Sequence, residues 1–347
     1  MPCHTRQESA AHAVAGSCLF LRQQTQCKSQ KNLTMRQLTI PGEVLDVIVV
    51  GAGPAGLNAA LVLGRCRRNV RLFDDAKPRN AVSHAMHGFL SRDGFEPTQL
   101  RAIAREQLAA YPSVSVEEVR VVDAVRTDTG FLVTTSDGRS FQARKLLLAT
   151  GVVDEVPQQP GFRELYGSGV FLCPYCDGWE LRDQPLAVYG RGDDKGGGMA
   201  LEMTLWSADT VLCTDGPSQL TDDCRHRLAR NGIAVREEKI VCLEIHSREP
   251  YHAAFDIVFE SGPRLRRAGI FFNTGRHQST DLARRLGCDT YATEGCTVDN
   301  KQQMTHVPGL YIAGDASRDV LQVIVAAAEG AAAAIGINSA LLHEDLV

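Results

Sequence analysis

Residues 173 to 180 read CPYCDGWE. Two thiols in a C-x-x-C, with a carboxylate directly behind them, have three candidate uses: half of a zinc site, a structural disulfide, or a redox centre that opens and closes. Zinc takes four ligands, usually as two close pairs. This is the only C-x-x-C in the chain, and Cys288 and Cys296 are too far apart to make a second such pair. A C-x-x-C holds two thiols within bonding reach and depresses the pKa of one, which gives a thiolate that attacks and a disulfide that forms again. The carboxylate of Asp177 can move the accompanying proton. Redox chemistry is the natural reading, with Cys173, Cys176 and Asp177 as candidate catalytic residues and no metal expected.

A redox thiol pair needs an electron carrier, and the surrounding elements supply one. VLDVIVV (Val44 to Val50) is an apolar run of strand length, followed at once by GAGPAG and an Ala- and Leu-rich helix. A second β-rich run, NVRLFD, ends on Asp74, 21 residues beyond Gly53. In such a unit the glycines let the backbone reach a pyrophosphate, the helix N-terminus offers free N–H groups, and the terminal carboxylate accepts from ribose hydroxyls. Gly51, Gly53, Pro54, Ala55, Gly56 and Asp74 are the candidate contacts. Far along the chain, VPGLYIAGDAS ends a strand on Gly314 and Asp315, ahead of another Ala-rich helix. A carboxylate there can accept from ribityl hydroxyls, and the positive helix end stabilises negative charge on a flavin. With RKLLLATG, a strand ending in a turn at Gly151, three strand ends converge on FAD as the dinucleotide.

LAVYGRGDDKGGGMALEM (Leu186 to Met203) repeats strand, glycine loop and helix between these pieces. Its motif is irregular: after Gly190 and Gly192, Lys195 stands where Gly or Ala is expected. The next strand ends on Asp215 without an adjacent Arg or Lys. That carboxylate suits a ribose 2′-hydroxyl and repels a 2′-phosphate, which favours NADH over NADPH. The same irregularity also admits a loop that binds no nicotinamide well.

The composition agrees with a two-domain enzyme. A chain of 347 residues, 44% apolar, exceeds a single hydrophobic core. A net charge of −4 leaves no basic footprint for nucleic acid. Eleven scattered cysteines do not make a secreted disulfide scaffold, so a reducing, cytoplasmic setting is expected. Residues 1–40 are polar and Gln-rich and read as a disordered extension, with Met35 as an alternative start. VLQVIVAAAEGAAAAIGINSALL (Val320 to Leu342) has the length of a membrane span, but Gln322, Glu329 and Asn338 interrupt it and it predicts a buried helix.

The FAD motif, the inserted nucleotide unit, CPYCDG near its start and the terminal GLYIAGDAS…LQVIVAAAEG together resemble the low-molecular-weight thioredoxin reductase family over nearly all of Leu45 to Leu341. The resemblance implies an α/β protein with two Rossmann-like, three-layer ββα nucleotide-binding domains, the second inserted into the first. It places an FAD domain at 41–152 and 273–347 and an NAD(P)-binding-like domain carrying the thiols at 153–272. It implies a homodimer acting on a thioredoxin-like protein or a small dithiol or disulfide. Carried onto this chain, Cys176 is the flavin-proximal sulfur, Cys173 exchanges with substrate, Asp177 is the general acid/base, and Asp315 and Gln322 contact the flavin. Two departures bear on direction. The basic stretch that follows the second nucleotide strand in the family is replaced by LCTDGP. RNAVSHAMHGFLSRDG (Arg79 to Gly94) resembles the branch that oxidises small dithiol metabolites, some members passing electrons to oxygen. That stretch brings Asn80 and His87 among the cofactor contacts, and places His84 and His87 either in proton transfer near the thiols or in packing against the FAD pyrimidine. The leading expectation is thus an FAD-dependent thiol–disulfide oxidoreductase fed by NAD(P)H. A dithiol oxidase is the alternative, and a non-catalytic flavin redox sensor is the alternative of another class.

Overall fold

A computed structural model describes residues 44–289, 296, 298–299, 301–317 and 320–347. The extension expected at 1–40 lies outside the described residues.

The first sheet is built on β1 (Val44–Val50). From its second residue onward it is mostly buried, as a strand covered on both faces should be. It lies parallel between β2 (Val70–Phe73) and β6 (Ser140–Leu148). Outside β2 runs β3 (Val114–Glu117), also parallel. β4 (Val121–Thr127) and β5 (Gly130–Thr135) form an antiparallel meander that joins the early half of β6, where Phe131 pairs Ala143. The late half of β6 pairs instead with β17 (Leu310–Ile312), Leu310 against Leu146. α1 (Pro54–Arg65) and α8 (Val323–Leu346) pack together on this sheet. Their backbones approach so closely that a Cβ on Gly330 would lie 2.0 Å from the Ala55 oxygen. α8 is long and apolar enough to cross a membrane, but Ala326, Gly330, Ala333, Ala334 and Ile337 are buried within the fold.

Between β6 and β17 the chain leaves and returns through a two-stranded antiparallel ladder, β7 (Val152–Asp154) with β16 (Arg276–Gln278). Inside that excursion β8 (Val170–Phe171), β9 (Leu186–Tyr189), β10 (Thr210–Cys213), β11 (Ala234–Arg236) and β15 (Gly269–Phe272) form an all-parallel sheet in the order β11-β10-β9-β15-β8. A three-stranded antiparallel sheet of β12 (Ile240–Ser247), β13 (Ala254–Phe259) and β14 (Leu265–Arg267) shares an apolar core with it. The remaining helices are α2 (Pro97–Leu108), α6 (Asp222–Arg230) and four of a single turn: α3 (Phe162–Leu165), α4 (Pro174–Asp177), α5 (Met199–Glu202) and α7 (Leu282–Arg285). Two Rossmann-like units therefore share the chain, the second inserted into the first.

Candidate active site

The first glycine turn has the shape a pyrophosphate needs. Gly51 sits at φ +104°, where a Cβ would strike the Ala149 oxygen at 2.2 Å, and a Cβ on Gly56 would lie 1.8 Å from the Gly51 oxygen. These two positions have no room for a side chain because strand, turn and helix close on one another. Gly53 differs: no protein atom lies within 4 Å of where its Cβ would be. It caps the N-terminus of α1, with Pro54 at the first helical position, and faces a cavity of about 550 Å³. That cavity runs from Asp74 to Asp315 and Gln322 and is lined also by Pro54, Ala55, Asn80, Gly151 and Gly314. A cavity of this volume lined by two strand-end carboxylates and by the N-terminus of α1 fits FAD.

Several supports of this cavity were not foreseen from sequence. Asp74 accepts from Ala52 N–H at 3.4 Å and from Arg101 at 2.8 Å, with Arg105 also bonded to it. Glu329, read above as an interruption in an apolar helix, accepts from Gly314 N–H at 2.8 Å and from the Ser317 hydroxyl, fixing the turn that carries Asp315. Arg79 donates two 2.8 Å hydrogen bonds to Asp154 and one of 3.1 Å to Asp315. The Tyr166 hydroxyl donates to the same Asp154 at 2.8 Å. Burial pushes the Asp315 carboxyl up, and Arg79 opposes it.

The thiols lie in a second cavity of about 310 Å³ that shares Arg79, Asn80, Asp154, Tyr166 and Leu321 to Val323 with the first. Cys173 is the N-cap of the single turn α4, and Cys176 and Asp177 donate backbone N–H groups to its carbonyl. That turn brings the two sulfurs together. Hydrogen bonding from Cys176 holds the Cys173 thiol below the ordinary thiol range, against burial and the Asp177 charge. The same bond, with burial, pushes Cys176 well above it. The pair is thus asymmetric, Cys173 the more acidic thiol and Cys176 the partner that holds its proton more tightly. Burial pushes Asp177 up to about 7, although the Tyr251 hydroxyl donates to its Oδ1 at 3.2 Å. A carboxyl near 7 gives and takes protons at neutral pH. Of the two histidines, His87 lines the thiol cavity, whereas His84 is exposed and lines neither cavity.

The second glycine loop does not have the form of the first. Gly190 and Gly192 lead into one π-helical turn, Asp193–Gly198, and then the single turn of α5. Asp193 and Asp194 occupy the first turn, where an anion would have to sit. Glycines of this loop serve its own packing: a Cβ on Gly190, the first of the motif, would lie 2.4 Å from the Lys195 oxygen, and one on Gly197, among the additional ones, would lie 2.2 Å from Cys224 Sγ. Asp193 is tied to Thr221, accepting from its N–H at 2.9 Å and its hydroxyl at 2.7 Å. Asp215, expected to face a ribose, is turned inward. It accepts from Ile240 N–H at 2.8 Å, Gln159 at 2.9 Å and Tyr189 at 3.3 Å. Nor is it without basic neighbours, since Arg191 Nη2 lies 3.6 Å and Lys239 Nζ 4.0 Å away. The argument for NADH from a free strand-end carboxylate therefore fails, because that carboxylate is already engaged. Asp193 and Asp194 oppose a pyrophosphate at this turn, and Asp215 carries no preference between NADH and NADPH.

Comparison with known proteins agrees with the thiol and flavin geometry. The family described as pyridine nucleotide-disulphide oxidoreductase matches residues 45–331. The thioredoxin reductase of Aquifex aeolicus is 30% identical over 87% of this chain and 94% of its own length. The solved structure of HlmI is 35% identical with a TM-score of 0.81, covering 87% of this chain and 94% of that one. That of an oxidoreductase from Agrobacterium tumefaciens is 32% identical with a TM-score of 0.79, covering 87% and 99%. The family's chemistry draws on FAD and a pyridine nucleotide. With its glycine cradle, its C-x-x-C and this likeness along most of its length, the chain belongs to the pyridine nucleotide-disulphide oxidoreductase family, as an FAD-dependent enzyme of the thioredoxin reductase-like kind.

Proposed function

We propose that the chain exchanges disulfides with a thioredoxin-like protein or a small dithiol through Cys173, with Cys176 resolving. The observation that carries this reading is the asymmetric thiol pair beside Asp177, in a cavity whose walls are shared with the flavin cavity. In the reductive sense the Cys173 thiolate attacks a substrate disulfide, and the departing sulfur takes a proton from Asp177. Cys176 then attacks Cys173, closing the disulfide and releasing the second substrate thiol. In the oxidative sense the same bonds form and break in reverse order. Gly51, Gly53, Gly56, Asp74, Asp315 and Gln322 would hold FAD, which would supply the electron pair that opens the disulfide or accept the pair from the thiols. The thiol cavity is lined by Met86, Phe171, Leu172, Met199 and Phe272, which suits a small apolar substrate. Ile324, Ile335 and Leu342 are exposed along α8, which supports a homodimer formed through that helix.

The second glycine loop favours one direction. With Asp193 and Asp194 at its first turn and Asp215 engaged inside, pyrophosphate binding is weak, so electrons enter from a dithiol and leave through the flavin to oxygen. NADH holds no advantage over NADPH on this reading. Anaerobic mixing of the yellow protein with NADH, NADPH and dithiothreitol in turn tests the route. Bleaching by the dithiol alone supports the oxidase direction, and rapid bleaching by a micromolar nucleotide supports the reductase direction. A protein whose bound flavin is bleached by none of the three would refute both.

A further inference from the structure

Asp177 is half-buried beside the thiols in their cavity. Oxidising Cys173 and Cys176 to a disulfide releases two electrons and two protons. A bound flavin would take the electron pair and one proton, which leaves one proton to depart from the thiol cavity in each turnover. In the reductive direction one must enter.

Three residues beyond Asp177, on the turn that continues α4, stands Glu180, whose charge pushes both Asp177 and Tyr251 upward. Glu180 Oε1 lies 3.5 Å from His87 Nε2, within ion-pair range but out of hydrogen-bond alignment. The other ring nitrogen, Nδ1, lies 3.6 Å from Asp93 Oδ1. The His87 and Glu180 side chains are 18% and 19% exposed, whereas that of Asp93 is 70% exposed. His87 Nε2 and Glu180 Oε2 are out of contact with water and have no hydrogen-bond partner. Leaving two such atoms unsatisfied in one pair is costly, and it is the arrangement expected of groups that change partners as a proton passes. An imidazole accepts at one nitrogen and releases at the other, and here those nitrogens face a half-buried carboxylate and a solvated one. The other charged or titratable neighbours of Asp177 and the thiols include Tyr251, Tyr166, Arg79 and Tyr175, the last of which is hydrogen-bonded to Glu202. Tyr166 and Arg79 are bonded to Asp154.

We infer that Glu180 and His87 form a proton route that connects Asp177 to solvent at Asp93. The inference rests on the thiol–disulfide reading above and assigns Glu180 a part in the reaction that its place outside the C-x-x-C motif does not suggest.

The test uses the FAD-loaded full chain and compares Glu180→Gln and His87→Ala with His84→Ala, a substitution at an exposed position lining neither cavity. Flavin bleaching by dithiothreitol is followed anaerobically in H2O and D2O, with and without imidazole. Rapid alkylation of Cys173 by iodoacetamide reports separately on the thiolate. Both route variants should bleach about tenfold or more slowly. They should show a larger solvent isotope effect than wild type and retain Cys173 alkylation within about twofold. Added imidazole should restore much of the rate in His87→Ala, while His84→Ala behaves as wild type. Route variants that bleach as fast as wild type overturn the proton route. So does slowing that is equal in both solvents and insensitive to imidazole, which marks a structural role only. A wild type whose flavin no dithiol or nucleotide bleaches refutes the thiol–disulfide reading itself, and the route with it.

Discussion

Replacing Asp177 by Asn separates the electrostatic cost of that carboxylate from its shape. Burial raises the carboxyl from 3.8 to about 7, which amounts to about 4 kcal/mol against the ionised form. The unfolded chain ionises near the lower value while the folded chain keeps its proton until about 7, so wild-type stability falls through that window and is level above it. Asn carries no such proton, and its amide oxygen can still accept from the Tyr251 hydroxyl. Between pH 5 and pH 8 the stability of the variant relative to wild type should therefore rise by about 2.5 kcal/mol, less to the extent that the half-buried side chain keeps some water. Urea unfolding of both FAD-loaded proteins at pH 5, 6.5 and 8 measures this. Flavin binding is common to both and cancels in the difference. The same variant should lose about a hundredfold in disulfide turnover while retaining its FAD, since only proton transfer is removed. A stability difference constant to within about 0.5 kcal/mol across that range would show that Asp177 is an ordinary ionised carboxylate and would withdraw its assignment as acid/base.

Gly53→Val should fold normally yet purify without yellow colour, because its Cβ enters only the cavity, whereas Gly56→Ala should unfold at lower temperature because its Cβ meets the Gly51 oxygen; flavin absorbance and thermal melts distinguish the two. Cys173→Ser should abolish disulfide turnover with FAD retained, and Cys176→Ser should accumulate a mixed disulfide at Cys173, read by mass spectrometry. Replacing both Asp193 and Asp194 by Asn should strengthen NADPH binding about tenfold by removing negative charge from the first helical turn, measured by titration calorimetry; unchanged binding would place the obstacle in the loop's shape rather than its charge.

What could be read in the sequence was chemistry written in short spans. The C-x-x-C, the glycines of the first turn and the carboxylates at strand ends each announce themselves within a few residues, and the apolar runs that became β1 and β6 do the same. What could not be read was pairing across distance. Arg79 and Asp154 are 75 positions apart, and neither is marked by a motif. Asp215 shows the opposite failure: a carboxylate at a strand end looks the same whether it faces a ligand or its own fold. Its partners Gln159, Tyr189 and Ile240 come from three separate segments. Glu329 looked like a flaw in an apolar helix because the backbone N–H it satisfies belongs to a turn that only the packing of α8 brings near. His84 and His87 are indistinguishable as letters, and only the fold separates them, one exposed and the other lining the thiol cavity beside Glu180 and Asp93.

The division of β6 between two partners sets an order on synthesis. One edge of β6 pairs with β1 from the start; along the other edge its early half can zip onto β5 as soon as both leave the ribosome, but its late half stays open until β17 appears, more than 160 residues later. The inserted unit, whose own strands pair within it, has time to fold in that interval. Asp315, Gln322 and the Glu329 that braces the turn carrying Asp315 follow β17, so the nascent chain has no complete flavin site until almost all of it is made. Uptake of the cofactor thereby reports on completeness: a chain that terminates before Leu310 should retain its thiols yet stay colourless, and FAD joins the protein as a final ligature across the two ends of one sheet.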